Sequence, residues 1–228
     1  MTDCDLDLDH PPYRLSGTVV GALLNHRGDW EAIGERALAP PHNGPPRLPV
    51  LAVRPPTALA RGPGLWTLPG GVEGIVVGAT LGIVIGRPAC RVDVDQARRV
   101  VAGYLAVNDG CLPTPGHYRP ALRQRVRDGL CVIGKAFVRS AELPAPDALE
   151  VIVRVDGRVV QATDTGGRLR DVGRLVADVS AFMTLSPGDL LLLGAAPGAP
   201  VATAGQNVAV SIAGIGEVHT RIVAEASR

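Results

Sequence analysis

Hydrophobic residues fall mostly into short, β-branched runs along this chain, and only twice into a clear helical spacing. Leu15 to Leu24 reads as a strand and Asp29 to Leu38 as a short helix. Residues 75–85, IVVGATLGIVI, form an apolar run of the kind found in a buried strand. Asp93 and Gln96 stand at the spacing of a capping box. Val94, Ala97, Val100, Val101, Tyr104 and Leu105 follow at helical intervals. The predicted helix runs on toward Asn108-Asp109-Gly110, which reads as its C-terminal turn. Asp156-Gly157, between two β-rich runs within 151–160, predicts a type I′ hairpin. Val172, Leu175, Val176, Val179 and Phe182 make the second helical stripe, closed by Pro187-Gly188. Strand-like pieces at 189–193, 207–213 and 217–223 complete the pattern.

Strands outnumber helices, and no regular strand–helix alternation or internal repeat is visible. The fold class this implies is α+β, mainly β, with a few helices packed on sheets. Pro40, Pro41, Pro45, Pro46 and Pro49 forbid regular structure over a long loop. Three regions are expected: a flexible acidic arm over 1–14, a small N-terminal cap over 15–70, and a core domain over 71–228. The arm carries Asp3, Asp5, Asp7 and Asp9.

Composition narrows the function classes. A formal charge of +1 and 3% aromatic residues supply neither the basic footprint nor the stacking platforms of a nucleic-acid binder. No apolar run approaches the roughly 18–20 residues that span a bilayer. The start MTDCDLDLDH is acidic where a secretory signal is basic and then apolar, so a cytoplasmic location is expected. Cys4, Cys90, Cys111 and Cys131 form no C-x-x-C pair and read as reduced, structural thiols. Lys135 is the sole lysine and nothing around it marks a Schiff-base site. Dinucleotide, P-loop, nucleophile-elbow and H-E-x-x-H motifs are all missing. His10, His26, His42, His117 and His219 are scattered without metal-ligand spacing, and His26, between Asn25 and Arg27, is the least bland of them.

Several segments taken together carry a resemblance. They are LNH (24–26), RPPTAL (54–59), LPGG (68–71), GATLGIVIG (78–86), GYLAVND (103–109), HYRPALRQRVRDGL (117–130), VDGRVVQATDT (155–165) and FMTLSPGDLLLLG (182–194). In this order the chain resembles the fumarylacetoacetate hydrolase superfamily over about residues 15–225. Within it, the chain is similar to the branch that isomerises and decarboxylates intermediates of 4-hydroxyphenylacetate (homoprotocatechuate) degradation. The resemblance implies a β-roll of mixed sheets with peripheral helices. It also implies substrates with a 2-oxo or 2-hydroxy-enol acid group, and Mg²⁺ or Mn²⁺ held by a Glu-x-Glu pair and an Asp.

Here the resemblance leaves Asp109 as the one surviving metal ligand, because Gly78 and Thr80 occupy the glutamate positions. Glu73 lies too far along the same run to share their face. No cation is therefore expected on this chain. Glutamate at both positions 78 and 80 is expected to restore a three-carboxylate site. Arg54, Arg125, Gln161 and Thr165 are the substrate-binding candidates, with catalytic residues left open. Asp29 stands where the family often has His, and Ala195 where it has a hydroxyl. The activity implied is that of a subunit of a 2-hydroxyhepta-2,4-diene-1,7-dioate isomerase / 5-oxopent-3-ene-1,2,5-tricarboxylate decarboxylase. The alternatives are a silent subunit paired with a metal-bearing second subunit, and a metal-free binder of small dicarboxylates. Homo-oligomers are expected, with neither nucleic acid nor membrane as partner.

Overall fold

The computed structural model describes residues 17–40, 43–44, 46–114 and 121–226. In chain order the elements are β1 (Val19–Leu23), α1 (Arg27–Ile33), β2 (Val50–Arg54), β3 (Leu59–Arg61), β4 (Gly64–Leu68), β5 (Ile75–Val76), β6 (Ala79–Ile85), α2 (Val94–Val100) and β7 (Val101–Asp109). They continue as α3 (Leu122–Arg125), β8 (Cys131–Arg139), β9 (Glu150–Val155), β10 (Arg158–Asp164), α4 (Val172–Ser180), β11 (Leu190–Leu192), β12 (Val201–Ala202), β13 (Asn207–Ile212) and β14 (Gly216–Ala224). The α+β, mainly β class is what forms.

A seven-stranded sheet runs β2-β1-β11-β6-β7-β8-β3 and a five-stranded sheet β10-β9-β13-β14-β4, while β5 and β12 pair separately. Both large sheets are mixed: β1 lies parallel to β11, β3 to β8 and β14 to β4. Strand alternation gives the seven-stranded sheet two apolar faces. Leu81, Ile83, Ile85, Tyr104 and Ala106 enter a large core that also takes Val153, Val210 and Ile222 from the five-stranded sheet and Leu175 and Val179 from α4. Val84, Leu105 and Val107 point the other way, into a small cluster with Val19, Cys131, Ile133, Leu190 and Leu192. The sheet curls about that small cluster. Although β11 and β6 separate β1 from β7, a Cβ on Gly21 of β1 would sit 3.5 Å from Asp109 Oδ2 at the end of β7.

Local signals formed as read. Asp93 Oδ1 accepts from Gln96 N at 2.7 Å and Gln96 Oε1 accepts from Asp93 N at 3.2 Å, closing the capping box of α2. Asp156 and Gly157 both adopt positive φ, 48° and 79°, as a type I′ turn needs. Other readings are corrected. The helix from Val94 stops at Val100, and Val101–Asp109 is a strand, so Asn108-Asp109 ends β7 rather than a helix. Adjacent β-branched Val100 and Val101 and then Gly103 weaken a helix there. Pairing with β6 and β8 on both sides supplies the strand with partners instead. The run 75–85 is likewise two strands, broken at Val77-Gly78, where Val77 N donates to Pro200 O and Gly78 O accepts from Asp109 N. The expected boundary at residue 70 marks no break in the sheets. Strands β1 to β4 all precede it, and all four are paired into the two large sheets. The acidic arm and residues 117–120 of the HYRP segment lie outside the described residues.

Candidate functional site

Arg54 ends β2 and Asp109 ends β7. The curl of the sheet brings them together, with Nη2 of Arg54 2.6 Å from Oδ2 of Asp109. Nη1 of Arg54 donates to the carbonyl of Arg125 on α3 at 2.7 Å. The Arg54 side chain is 0% exposed and that of Asp109 12%. Burial works against the Arg54 charge, and the Asp109 carboxylate offsets this, leaving the Arg54 pKa above its ordinary value. Cys131, opposite Asp109 on β8, has its thiol pushed well up by burial and then by the carboxylate. Burial also raises Cys111, against the pull of Arg125 and Arg54. Both thiols are therefore held neutral, in keeping with the structural reading of these two cysteines.

Three buried polar atoms at this end of the roll have no hydrogen-bond partner: Nε of Arg54, Oδ1 of Asp109 and Nε of Arg125. Buried donors and acceptors left unmet are costly, and they cluster where a ligand can meet them. Arg125 is half-buried, so it can present its guanidinium to a ligand. Arg54 cannot, as placed. Its terminal nitrogens are committed to Asp109 and to Arg125 O, and it orients the carboxylate instead of anchoring an incoming one. This corrects its expected role.

The remaining expected site residues lie apart from this pair. Gln161, on β10, donates from Nε2 to Pro197 O at 3.0 Å. Thr165 is buried. Its hydroxyl donates to Pro146 O at 2.7 Å and accepts from Leu149 N at 2.9 Å, so it ties two loops together and is fully used. Asn108 faces the five-stranded sheet, where Nδ2 meets Thr220 Oγ1 at 3.2 Å. His26 is the N-cap of α1: Nδ1 accepts from Gly28 N at 2.9 Å, and Asp29 Oδ2 accepts from His26 N at 3.4 Å. Asn25 holds Arg170 O and Leu193 O through Nδ2 and Arg170 N through Oδ1.

The glutamate positions behave as the sequence suggests in one respect and not in another. Thr80 is buried, and its hydroxyl accepts from Gly194 N at 2.9 Å. Gly78 has no side chain and no room for one, because a Cβ there would collide with the backbone carbonyl of Asp109. The expected rescue by glutamates at 78 and 80 therefore fails on steric grounds. Glu73 is exposed and lines a separate surface pocket with Gly70, Arg123 and Arg127. Among the described residues, no three His, Cys, Asp or Glu side chains come together as a metal group would require. A divalent cation held by three carboxylates does not fit this donor set: one position is blocked, one hydroxyl is engaged, and the surviving carboxylate already faces a guanidinium.

With this geometry in hand, comparison with known proteins decides the family. The family model described as Fumarylacetoacetate (FAA) hydrolase C-terminal matches residues 18–223. The chain belongs to this family. It is 32% identical over 211 residues to the 4-hydroxyphenylacetate degradation bifunctional isomerase/decarboxylase of Salmonella dublin, covering 92% of this chain and 48% of that protein. The chain thus spans about half the length of the curated relatives it matches first. The crystal structure of 2-hydroxyhepta-2,4-diene-1,7-dioate isomerase from Mycobacterium marinum superimposes with a TM-score of 0.75 at 29% identity, over 92% of this chain and 75% of that one. Fumarylpyruvate hydrolase from Pseudomonas aeruginosa, solved with Mn²⁺ and pyruvate, gives a TM-score of 0.77 at 22% identity over 92% and 90% of the two chains, a likeness of fold alone. No helix among the described residues is long and apolar enough to cross a membrane.

Proposed function

We propose that this chain is a subunit of an isomerase/decarboxylase of 4-hydroxyphenylacetate catabolism that binds a 2-oxo or 2-hydroxydienoate dicarboxylate without a divalent ion of its own. The observation that carries this reading is the Arg54–Asp109 contact together with the blocked space at Gly78. A fixed guanidinium already neutralises the carboxylate that elsewhere in the family is expected to hold a cation. Half-buried Arg125, with Nε unpaired, supplies the planar donor that suits a substrate carboxylate. Support for the substrate class comes from the relatives named above. A cytoplasmic setting and assembly into homo-oligomers go with this reading.

Enol-to-keto isomerisation of such a dienol removes the enol proton and returns one to the far carbon of the conjugated system. Charge passes through the 2-oxygen, and cationic donors beside that oxygen lower the barrier. A catalytically silent subunit, paired with a metal-bearing partner, is the second reading, favoured by Asp29 and Ala195 at two further departures from the family pattern.

The experiment uses the purified chain with 2-hydroxyhepta-2,4-diene-1,7-dioate, following loss of dienol absorbance with added Mn²⁺ and with a chelator. Binding, with a rate indifferent to both additions, supports the reading. Turnover that appears with Mn²⁺ and disappears with chelator overturns it, and binding without turnover selects the silent subunit.

A further inference from the structure

A second arginine, Arg168, follows β10 in the turn that meets α1, and it is only 8% exposed. Unlike Arg54, it has no carboxylate in contact among the described residues. Nε and Nη1 are buried with no hydrogen-bond partner, and Nη2 has only the carbonyl of Asp164 at 3.4 Å. The nearest acids are turned elsewhere: Asp164 Oδ1 accepts from Gly166 N at 2.8 Å and Asp29 Oδ2 from His26 N. A buried guanidinium with two unmet donors costs free energy that the Asp29 and Asp164 charges return only in part.

The surroundings add a further donor. His26 forms an isolated antiparallel bridge with Arg168, and Arg27 N donates to Gly167 O at 2.9 Å. Because His26 Nδ1 accepts from Gly28 N, its Nε2 carries the proton. That Nε2 lies 3.0 Å from where a Cβ on Gly167 would sit, one residue before Arg168. The helix that follows His26, α1, contributes no fully buried side chain. The same segment is tied to the end of the roll, because Asn25 binds Leu193 O and the next residue, Gly194, donates to Thr80. Thr80 pairs with Val107, two residues from Asp109.

We infer that Arg168, with His26 Nε2–H beside it, is a carboxylate-binding site, and that its ligand is the second carboxylate of the dicarboxylic substrate. This rests on the dicarboxylate reading above and assigns it a specificity residue. Nη2, held only by its 3.4 Å contact to Asp164 O, shares one edge of the guanidinium with the unmet Nε and another with the unmet Nη1, and either edge is a planar fork that a carboxylate fills with two parallel hydrogen bonds, an arrangement lysine cannot reproduce.

The test is calorimetric binding to the full chain of 2-oxoheptane-1,7-dioate and of its single-carboxylate counterpart 2-oxoheptanoate, so that turnover plays no part. The wild type is expected to favour the diacid by about tenfold or more. Arg168→Met is expected to abolish that preference while binding the monoacid as before. It is also expected to melt about 2–4 °C higher without ligand, because an uncompensated buried charge is gone. Arg168→Lys keeps the charge without the fork and is expected to recover only part of the preference; it also serves if the methionine variant fails to fold. A diacid preference that survives in both variants overturns the inference and leaves the dicarboxylate reading standing. A wild type that binds neither acid overturns that reading itself, and this inference with it.

Discussion

Two buried arginines, placed in different parts of one roll, are stabilised in opposite ways. Arg54 sits inside the curl of the seven-stranded sheet with a carboxylate at 2.6 Å and a carbonyl at 2.7 Å. Arg168 sits beside His26, the N-cap of α1, with a single long contact. Burial acts on both guanidiniums, but only Arg54 has a partner to offset it. The Arg168 pKa falls to about 10, driven by burial and only partly opposed by Asp29 and Asp164. The fold pairs the charge of the first arginine with a carboxylate, leaving only its Nε unmet; the second has no such pair and is left open. Closing a charge inside the chain serves architecture, and leaving one unmet reserves it for a ligand.

The sharpest way to break this contrast is to remove Arg54. Arg54→Met strands Asp109 and is expected to cost about 3–5 kcal/mol in denaturant unfolding. Pairing it with Asp109→Leu is expected to return most of that loss. The sign is opposite to that expected for Arg168→Met, and equal effects at the two sites would erase the distinction. Next in size, Gly78→Glu with Thr80→Glu is expected to lose at least about 2 kcal/mol, because the first side chain must displace the Asp109 carbonyl. Its melting temperature should ignore millimolar Mn²⁺; a rise on adding Mn²⁺ would mean that β6 and β7 can part to form a cation site.

Thr165→Val probes the segment leading into Arg168. It leaves Leu149 N without its acceptor and is expected to cost about 1–3 kcal/mol by thermal unfolding.

The smallest effect expected is with pH at His26. Burial first, and then Arg168, lower its pKa from 6.5, against the opposing pull of Asp29, Asp164 and Glu31. Between the lowered value and 6.5 the unfolded chain binds more protons, so stability rises with pH through that window and falls as pH drops below 6.5. Protonation also takes Nδ1 away from Gly28 N, a cap of about 1 kcal/mol. The protection of the Gly28 amide, taken relative to the intrinsic exchange rate at each pH, should fall as pH drops below 6.5 in the wild type and lose that dependence in His26→Asn, which caps without titrating.

What could be read in the sequence was largely local. Asp93 and Gln96 specify their cap from three residues apart, and Asp156-Gly157 fixes its turn from neighbouring positions, so both were legible. Val101–Asp109 misled because its apolar residues satisfy a helical stripe as well as a strand, and only pairing on both sides decides between them. Strands β2, β3 and β4 were hidden by the prolines around them. The site was half legible. Arg54, Asp109 and Gly78 could each be singled out, yet their contact depends on a curl that joins strands distant in sequence. Arg168 carried no motif at all; its significance comes from burial without a partner, which no linear pattern records.

The parallel pairing of β1 with β11 has a consequence for how this molecule comes into being. Thr18 and Asp189, joined by a hydrogen bond at the edge of that pair, are 171 residues apart along the chain. A strand made 171 residues ahead of its neighbour must therefore wait, its apolar VVGAL sequence uncovered on one side, until that neighbour has been made. The middle of the sheet is closed last. Contacts of such long range slow the search for the native state and lengthen the time an unpaired edge is open to other chains. For this fold, the hazardous interval lies in the wait between the first strand and its neighbour.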